Sequence, residues 1–136
     1  MNKLNILIVD DDDVASEAFL RGVRYAKLPF TVVEAEDGLE AYAIVKGVHP
    51  EKIIKEPFIV LLDINMPRMS GFEFLKVLRH DEKLCAIPVM ILTTSDSASD
   101  KEQAAELGVM RYWIKGDVGP RFEHLLKELT SHTKMM

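Results

Sequence analysis

The chain has little of what several protein classes require. It carries one cysteine, Cys85, in 136 residues. A single cysteine makes no internal disulfide and no thiolate metal site. A disulfide-stapled scaffold is therefore excluded, and Cys85 reads as a structural or surface thiol. Long hydrophobic runs are missing as well. No segment approaches the ~20 apolar residues of a membrane span. No basic n-region with an apolar h-region opens the chain, so the protein is expected in the cytoplasm. Excess positive charge is also absent: 17 basic residues against 22 acidic ones leave a net charge of −5. Neither nucleic acid nor an anionic membrane is an expected partner of such a chain. Internal repeats, low-complexity segments and linkers are missing too, and the length suits one domain over residues 1–136 with an ordinary core.

What is present is concentrated. Four aspartates, Asp10 to Asp13, follow the apolar run Leu4-Asn5-Ile6-Leu7-Ile8-Val9. Neighbouring carboxylates repel and disfavour one another's ionisation. Such a cluster at the mouth of a core calls for a cation. A second apolar run, Phe58 to Leu62, ends in Asp63, followed by Asn65-Met66-Pro67. Two strands that deliver acids to one edge of a sheet make a site for a hard divalent metal, which takes oxygen ligands.

Apolar runs and helical patterns alternate five times along the chain. Strands are expected at 4–9, 30–35, 58–62, 89–92 and 109–114. The first helix is expected over 13–27, with Ala15, Ala18, Phe19, Gly22 and Tyr25 or Ala26 on one side. The second follows Asp37-Gly38, with Leu39, Tyr42, Ala43 and Val45 or Lys46 near its end. Gly47, Pro50 and Pro57 make 47–57 a loop or a broken helical turn. Ser70-Gly71-Phe72-Glu73 has the form of a capping box that opens a helix through Arg79. Ser99 with Glu102 is expected to cap the fourth helix, and Gly108 to stop it. Pro120 fits the first turn of the last helix, whose stripe is Phe122, Leu125, Leu126 and Leu129, with 130–136 fraying. Strand–helix alternation implies a parallel sheet with helices on both faces and right-handed crossovers. Ligands in such sheets bind beyond the carboxyl ends of the strands. There the first and third strands offer acids, the fourth Thr93-Thr94-Ser95, and the fifth Lys115.

Each of these residues has a bland reading. A strand-end lysine is usually a solvated charge, a strand-end threonine usually bonds nearby backbone, and Asp12 or Asp13 serves as a helix cap. The joint placement is what packing does not ask for. The set suits phosphoryl transfer to a carboxylate: an aspartate can act as nucleophile, and the rest is positioning and charge neutralisation by a divalent ion, an ammonium and a hydroxyl.

With Ile8-Val9-Asp10-Asp11, Leu62-Asp63-Ile64-Asn65-Met66-Pro67, Gly71, Ile91-Leu92-Thr93 and Tyr112-Trp113-Ile114-Lys115 in order, the chain resembles the response-regulator receiver domains of bacterial two-component systems. The resemblance implies an α/β fold of the flavodoxin-like (βα)5 type, a three-layer sandwich around a five-stranded parallel sheet of order 2-1-3-4-5. It implies Asp63 as phosphoacceptor from the phosphohistidine of a sensor histidine kinase. Asp11 would ligate Mg2+, Asp10 would hold metal waters, and Asp63 and the backbone carbonyl of Asn65 would complete the protein ligands. Thr93 and Lys115 would contact the phosphoryl group. Thr93 and Tyr112 would form the switch, read out through the fourth helix, fifth strand and fifth helix (residues 97–132) by a downstream protein target or a homodimer. The long 47–57 loop and Thr-Thr-Ser after the fourth strand are similar to regulators paired with bacterial phytochromes. The chain is expected to be a stand-alone receiver without an output domain, and not an enzyme beyond its own phosphorylation and dephosphorylation.

Two positions depart from the family pattern. Gly116 stands where proline usually follows the lysine. A cis bond before a non-proline residue costs about 3–4 kcal/mol, so a trans peptide and a differently shaped loop at 115–119 are expected. Thr94 is bulkier than the usual small residue and is expected to narrow access to Asp63. The competing reading is a Mg2+-dependent aspartyl-phosphate phosphatase or phosphotransferase. Asp10 and Asp12 satisfy its Asp-x-Asp spacing, but the chain has no room for a substrate cap. A flavodoxin-type cofactor module is disfavoured because four aspartates would repel a phosphate. A degenerate receiver is disfavoured because every phosphorylation residue is present.

Overall fold

A computed structural model describes residues 4–135. Five strands and five helices alternate: β1 (Asn5–Val9), α1 (Asp13–Tyr25), β2 (Thr31–Ala35), α2 (Gly38–Lys46), β3 (Phe58–Leu62), α3 (Gly71–His80), β4 (Val89–Thr93), α4 (Ala98–Glu106), β5 (Arg111–Ile114) and α5 (Glu123–Met135). All strand pairs are parallel and the sheet order is β2-β1-β3-β4-β5. This is the doubly wound α/β fold with the strand order the resemblance implied.

The strands are buried because both faces are covered. One core lies on the α1/α5 side and holds Ile6, Ile8, Phe19, Ile59, Leu61, Met90, Leu92 and Leu125. The other lies on the side of α2, α3 and α4 and holds Leu7, Val9, Val60, Leu62, Phe74, Leu78, Ile91 and Ala104. Alternate residues of β1, β3 and β4 feed opposite cores, as a two-residue side-chain period requires.

Several boundaries and faces differ from the sequence expectation. In α1 the buried residues are Ser16, Phe19, Gly22 and Val23, while Tyr25 and Ala26 are exposed. Gly22 sets that phase: a Cβ there would lie 2.5 Å from the Arg121 carbonyl oxygen, so only glycine lets α1 approach the α5 entry. In α2 Leu39 is exposed, and Gly38, Ala41 and Ile44 face inward. Helix α4 is capped by Ser97, which accepts from the Asp100 amide at 3.2 Å, two residues before the expected Ser99. Asp100 is further held by the Ser95 hydroxyl at 2.5 Å, which fixes this earlier start. Strand β5 begins at Arg111 and α5 at Glu123, so Pro120 precedes the helix. There Gly119 has φ +90° and Phe122 φ +59°, and the chain turns before it coils. Helix α5 runs through Thr130 to Met135, and Met136 lies outside the described residues.

Segment 47–57 forms no helix or strand. It is held by polar bonds. His49 Nδ1 accepts from the Glu51 and Lys52 amides at 3.0 and 2.9 Å, and Lys52 Nζ donates to the Glu34 carbonyl at 2.7 Å. Cys85 is an exposed free thiol, as expected. No described helix is long and apolar enough to cross a membrane.

Candidate functional site

The register of the sheet builds the site. Val9 pairs with both Ala35 and Leu62, so the next residues, Asp10 and Asp63, leave the sheet side by side. The ladder continues one step past the strands: Asp10 N donates to the Ala35 carbonyl at 3.0 Å and Asp63 N to the Val9 carbonyl at 2.9 Å. Pairing of Thr93 with Ile114 brings Lys115 one residue beyond the end of β4. The crevice is therefore set by backbone pairing.

Asp10 and Asp63 are 4% and 6% exposed, while Asp11 is exposed. One carboxylate oxygen from each of Asp10, Asp11 and Asp63 lies within 4.8 Å of the others. Lys115 Nζ stands 2.8 Å from Asp10 Oδ2 and 3.4 Å from Asp63 Oδ2. Asp10 Oδ1 accepts from the Asp12 amide at 2.9 Å. Its Oδ2 is buried without an aligned hydrogen-bond donor, its close neighbour being the ammonium. Asp12 caps α1 through the Val14 amide at 3.0 Å. Asn65 N donates to Asp63 Oδ1 at 3.3 Å, which turns the β3–α3 loop back over the carboxylate. Ser95 N donates weakly to the buried Thr93 hydroxyl at 3.4 Å.

Burial pushes the Asp10 carboxyl up, and contact with Lys115 and the Asp12 amide only partly offsets this. Lys115 is raised. Burial works against its charge, but the close pairing with Asp10 and the charge of Asp63 outweigh burial. In the folded protein Asp10 holds its proton to higher pH than in the unfolded chain. Its contribution to stability is full below the ordinary carboxylate range and is lost as pH rises through the shifted value. Asp10→Asn is therefore expected to raise the metal-free midpoint of thermal unfolding at pH 7. The gain should shrink on acidification below the carboxylate range. A variant that is less stable than wild type at pH 7 would contradict this reading of the pocket.

Of the residues singled out in the sequence, Asp10, Asp11, Asp63 and Lys115 meet directly. Asn65 is exposed beside them and Thr93 is buried at the end of β4. Tyr112 is half-buried, and its hydroxyl donates to the Ser95 carbonyl at 2.9 Å. It is thus tied to the β4–α4 loop. The Lys115–Gly116 peptide is trans and opens a 3-10 turn, Lys115–Asp117, as the missing proline predicted. Thr94 is exposed. The sequence reading missed Asp37 and Arg68. Asp37 is 1% exposed, caps α2 through the Glu40 amide at 2.9 Å, and accepts from Arg68 Nη2. Asp37-Gly38 signalled a turn, and nothing in the sequence joined it to a cation 31 residues away.

The donor set consists of hard oxygens at the spacing one ion can bridge, and Asp10 Oδ2 is buried without an aligned donor. These residues fit a small divalent cation. A parallel doubly wound domain with this acidic pocket and Lys115 at its carboxyl edge is the class of fold and site that the resemblance implied.

The comparisons agree with that class. The response regulator receiver domain family matches residues 6–126, and the chain belongs to it. The polar-differentiation response regulator DivK of Brucella ovis is 28% identical over 123 residues, which cover 90% of this chain and 93% of its own. The gliding motility regulatory protein of Myxococcus xanthus is 32% identical over 117 residues. The chain spans only 14% of that protein's length, and 43% and 42% of two transcriptional regulators it also matches. Among solved structures, a two-component response regulator from Legionella pneumophila superposes with a TM-score of 0.80 at 28% identity, covering 98% of this chain and 99% of its own. The phosphorylated cyanobacterial phytochrome response regulator RcpA gives 0.80 at 27% identity, with coverage of 92% and 91%. The Mn2+-bound form of the response regulator Rcp1 gives 0.79 at 27% identity, with coverage of 93% and 91%. Phytochrome-type response regulators are thus among the structural neighbours, as the sequence resemblance implied.

Proposed function

We propose that this receiver domain accepts a phosphoryl group on Asp63 from the phosphohistidine of a sensor histidine kinase and signals through protein contacts. The observation that carries the reading is the buried Asp63 carboxylate beside Asp10, Asp11 and the Lys115 ammonium. A carboxylate oxygen of Asp63 attacks phosphorus, the new O–P bond forms, and the P–N bond breaks to the departing imidazole. Lys115 then moves its pairing from the carboxylates to a phosphoryl oxygen, and the Thr93 hydroxyl donates to another. Asp10, Asp11, Asp63 and the Asn65 carbonyl would hold Mg2+, which when bound neutralises the carboxylates and the incoming phosphoryl charge.

The readout follows from what leaves its place. In the structure Tyr112 bonds the Ser95 carbonyl, and Ser95 in turn holds Asp100 at the start of α4. Closure of Thr93 on the phosphoryl group would pull on this loop and shift the α4–β5–α5 face, a local electrostatic event with a wider consequence. That face would meet a downstream target or a second copy of the chain. The phytochrome-type neighbours make a phytochrome kinase the proposed donor.

Lys115→Ala tests the coupling. It is expected to leave Asp63 able to gain phosphate, more slowly, while the chemical-shift changes across residues 97–132 on phosphorylation are lost. Wild-type shift changes in the phosphorylated variant would remove Lys115 from the switch.

A further inference from the structure

The β3–α3 loop, residues 64–70, carries the Asn65 carbonyl that would face the metal. Its base is closed by Gly71 N donating to the Ile64 carbonyl at 3.2 Å, and Gly38 N donates to the Met69 carbonyl at 3.3 Å. Its apex has two polar tethers. One is the Asn65 amide on Asp63. The other is the Arg68 guanidinium on Asp37.

The second tether is unusual on both sides. Arg68 has φ +64°, in the left-handed region that glycine enters freely and arginine does not. The Arg68 side chain is 63% exposed, yet its guanidinium turns to a carboxylate that is 2% exposed. A carboxylate so buried needs a cation or donors for both oxygens. Asp37 Oδ1 has the Glu40 amide, and Oδ2 has Arg68. The turn and the loop also touch closely, since a Cβ on Gly38 would lie 2.8 Å from Met69 Cγ.

We propose that Arg68 is a positioning residue for the metal-binding loop: its ion pair with Asp37 sets where Asn65 presents its carbonyl. The inference rests on the metal reading given above. The bond that Arg68 makes is to Asp37 and not to Asp10, Asp11 or Asp63, so it acts through the loop that carries Asn65.

The test is calorimetric titration of Mg2+ into the full chain and its Arg68→Gly and Arg68→Lys variants, with amide hydrogen exchange on the metal-free proteins. Arg68→Gly removes the guanidinium but accommodates the left-handed φ, so a loss of affinity does not come from backbone strain. It is expected to bind Mg2+ about tenfold more weakly, the scale of lost outer-shell support. Exchange at residues 64–69 should quicken while β3 and β4 stay protected. Arg68→Lys should recover part of the affinity, because an ammonium can still pair with Asp37 Oδ2 but lacks the planar reach of the guanidinium. Equal Mg2+ affinity in wild type and Arg68→Gly overturns the role of Arg68 and leaves the metal reading standing. Weaker binding with unchanged loop exchange, or a lysine variant no better than glycine, overturns the ion pair as the cause. A wild type that binds no Mg2+ overturns the metal reading, and this role with it.

Discussion

Asp63→Asn is expected to abolish phosphoryl incorporation and leave the fold intact. The amide keeps the shape of the carboxylate and can still accept the Asn65 amide that now bonds Asp63 Oδ1. It lacks the anionic oxygen that attacks phosphorus. Removing one of three clustered carboxylates also relieves repulsion, so the thermal midpoint of the metal-free variant should equal or exceed that of wild type. The check pairs thermal unfolding with phosphorylation by a small-molecule donor such as acetyl phosphate. A folded variant that still gains phosphate at the wild-type rate would move the nucleophile elsewhere.

Gly71→Ala should have the largest effect on stability. A Cβ at Gly71 would lie 2.6 Å from Ile64 Cα and inside contact with the Asp63 carbonyl oxygen, so backbone would have to move. Overpacking of this kind costs roughly 1–3 kcal/mol, and rigid backbone neighbours place it at the upper end. The movement falls on Asp63 itself, so phosphorylation should slow in the fraction that remains folded. Urea unfolding measures the first effect and the initial rate of phosphate gain the second. Wild-type values for both would mean that the α3 entry has more room than the close approach of Gly71 to Ile64 implies.

Much of the carboxylate pocket was legible in the sequence. The acids at Asp10 and Asp63 could be read because each ends an apolar run, and a parallel sheet with matched register must bring such ends together. Lys115 could be read for the same reason. The Ser70–Glu73 capping box was visible because its signal is local, and the structure contains both of its reciprocal bonds. Helix phases were less visible. The inward faces of α1 and α2 follow Gly22 and Gly38, whose close approaches are to Arg121 and Met69, distant in sequence. Apolar periodicity alone favoured Leu39, which lies half exposed. The Arg68–Asp37 pair had no sequence signal, because an exposed arginine and a turn aspartate are each ordinary on their own. Tyr112 was placed correctly on β5, but its bond to the Ser95 carbonyl depends on the path of the β4–α4 loop.

The measurement that bears most directly on the central claim is the intact mass of the protein after incubation with acetyl phosphate, with and without Mg2+, followed by mapping of the modified peptide. The expected result is a gain of one phosphoryl group that requires Mg2+ and maps to the peptide containing Asp63. A gain that maps elsewhere, or that is indifferent to Mg2+, would contradict the reading of Asp10, Asp11 and Asp63 as a metal-assisted phosphoacceptor site.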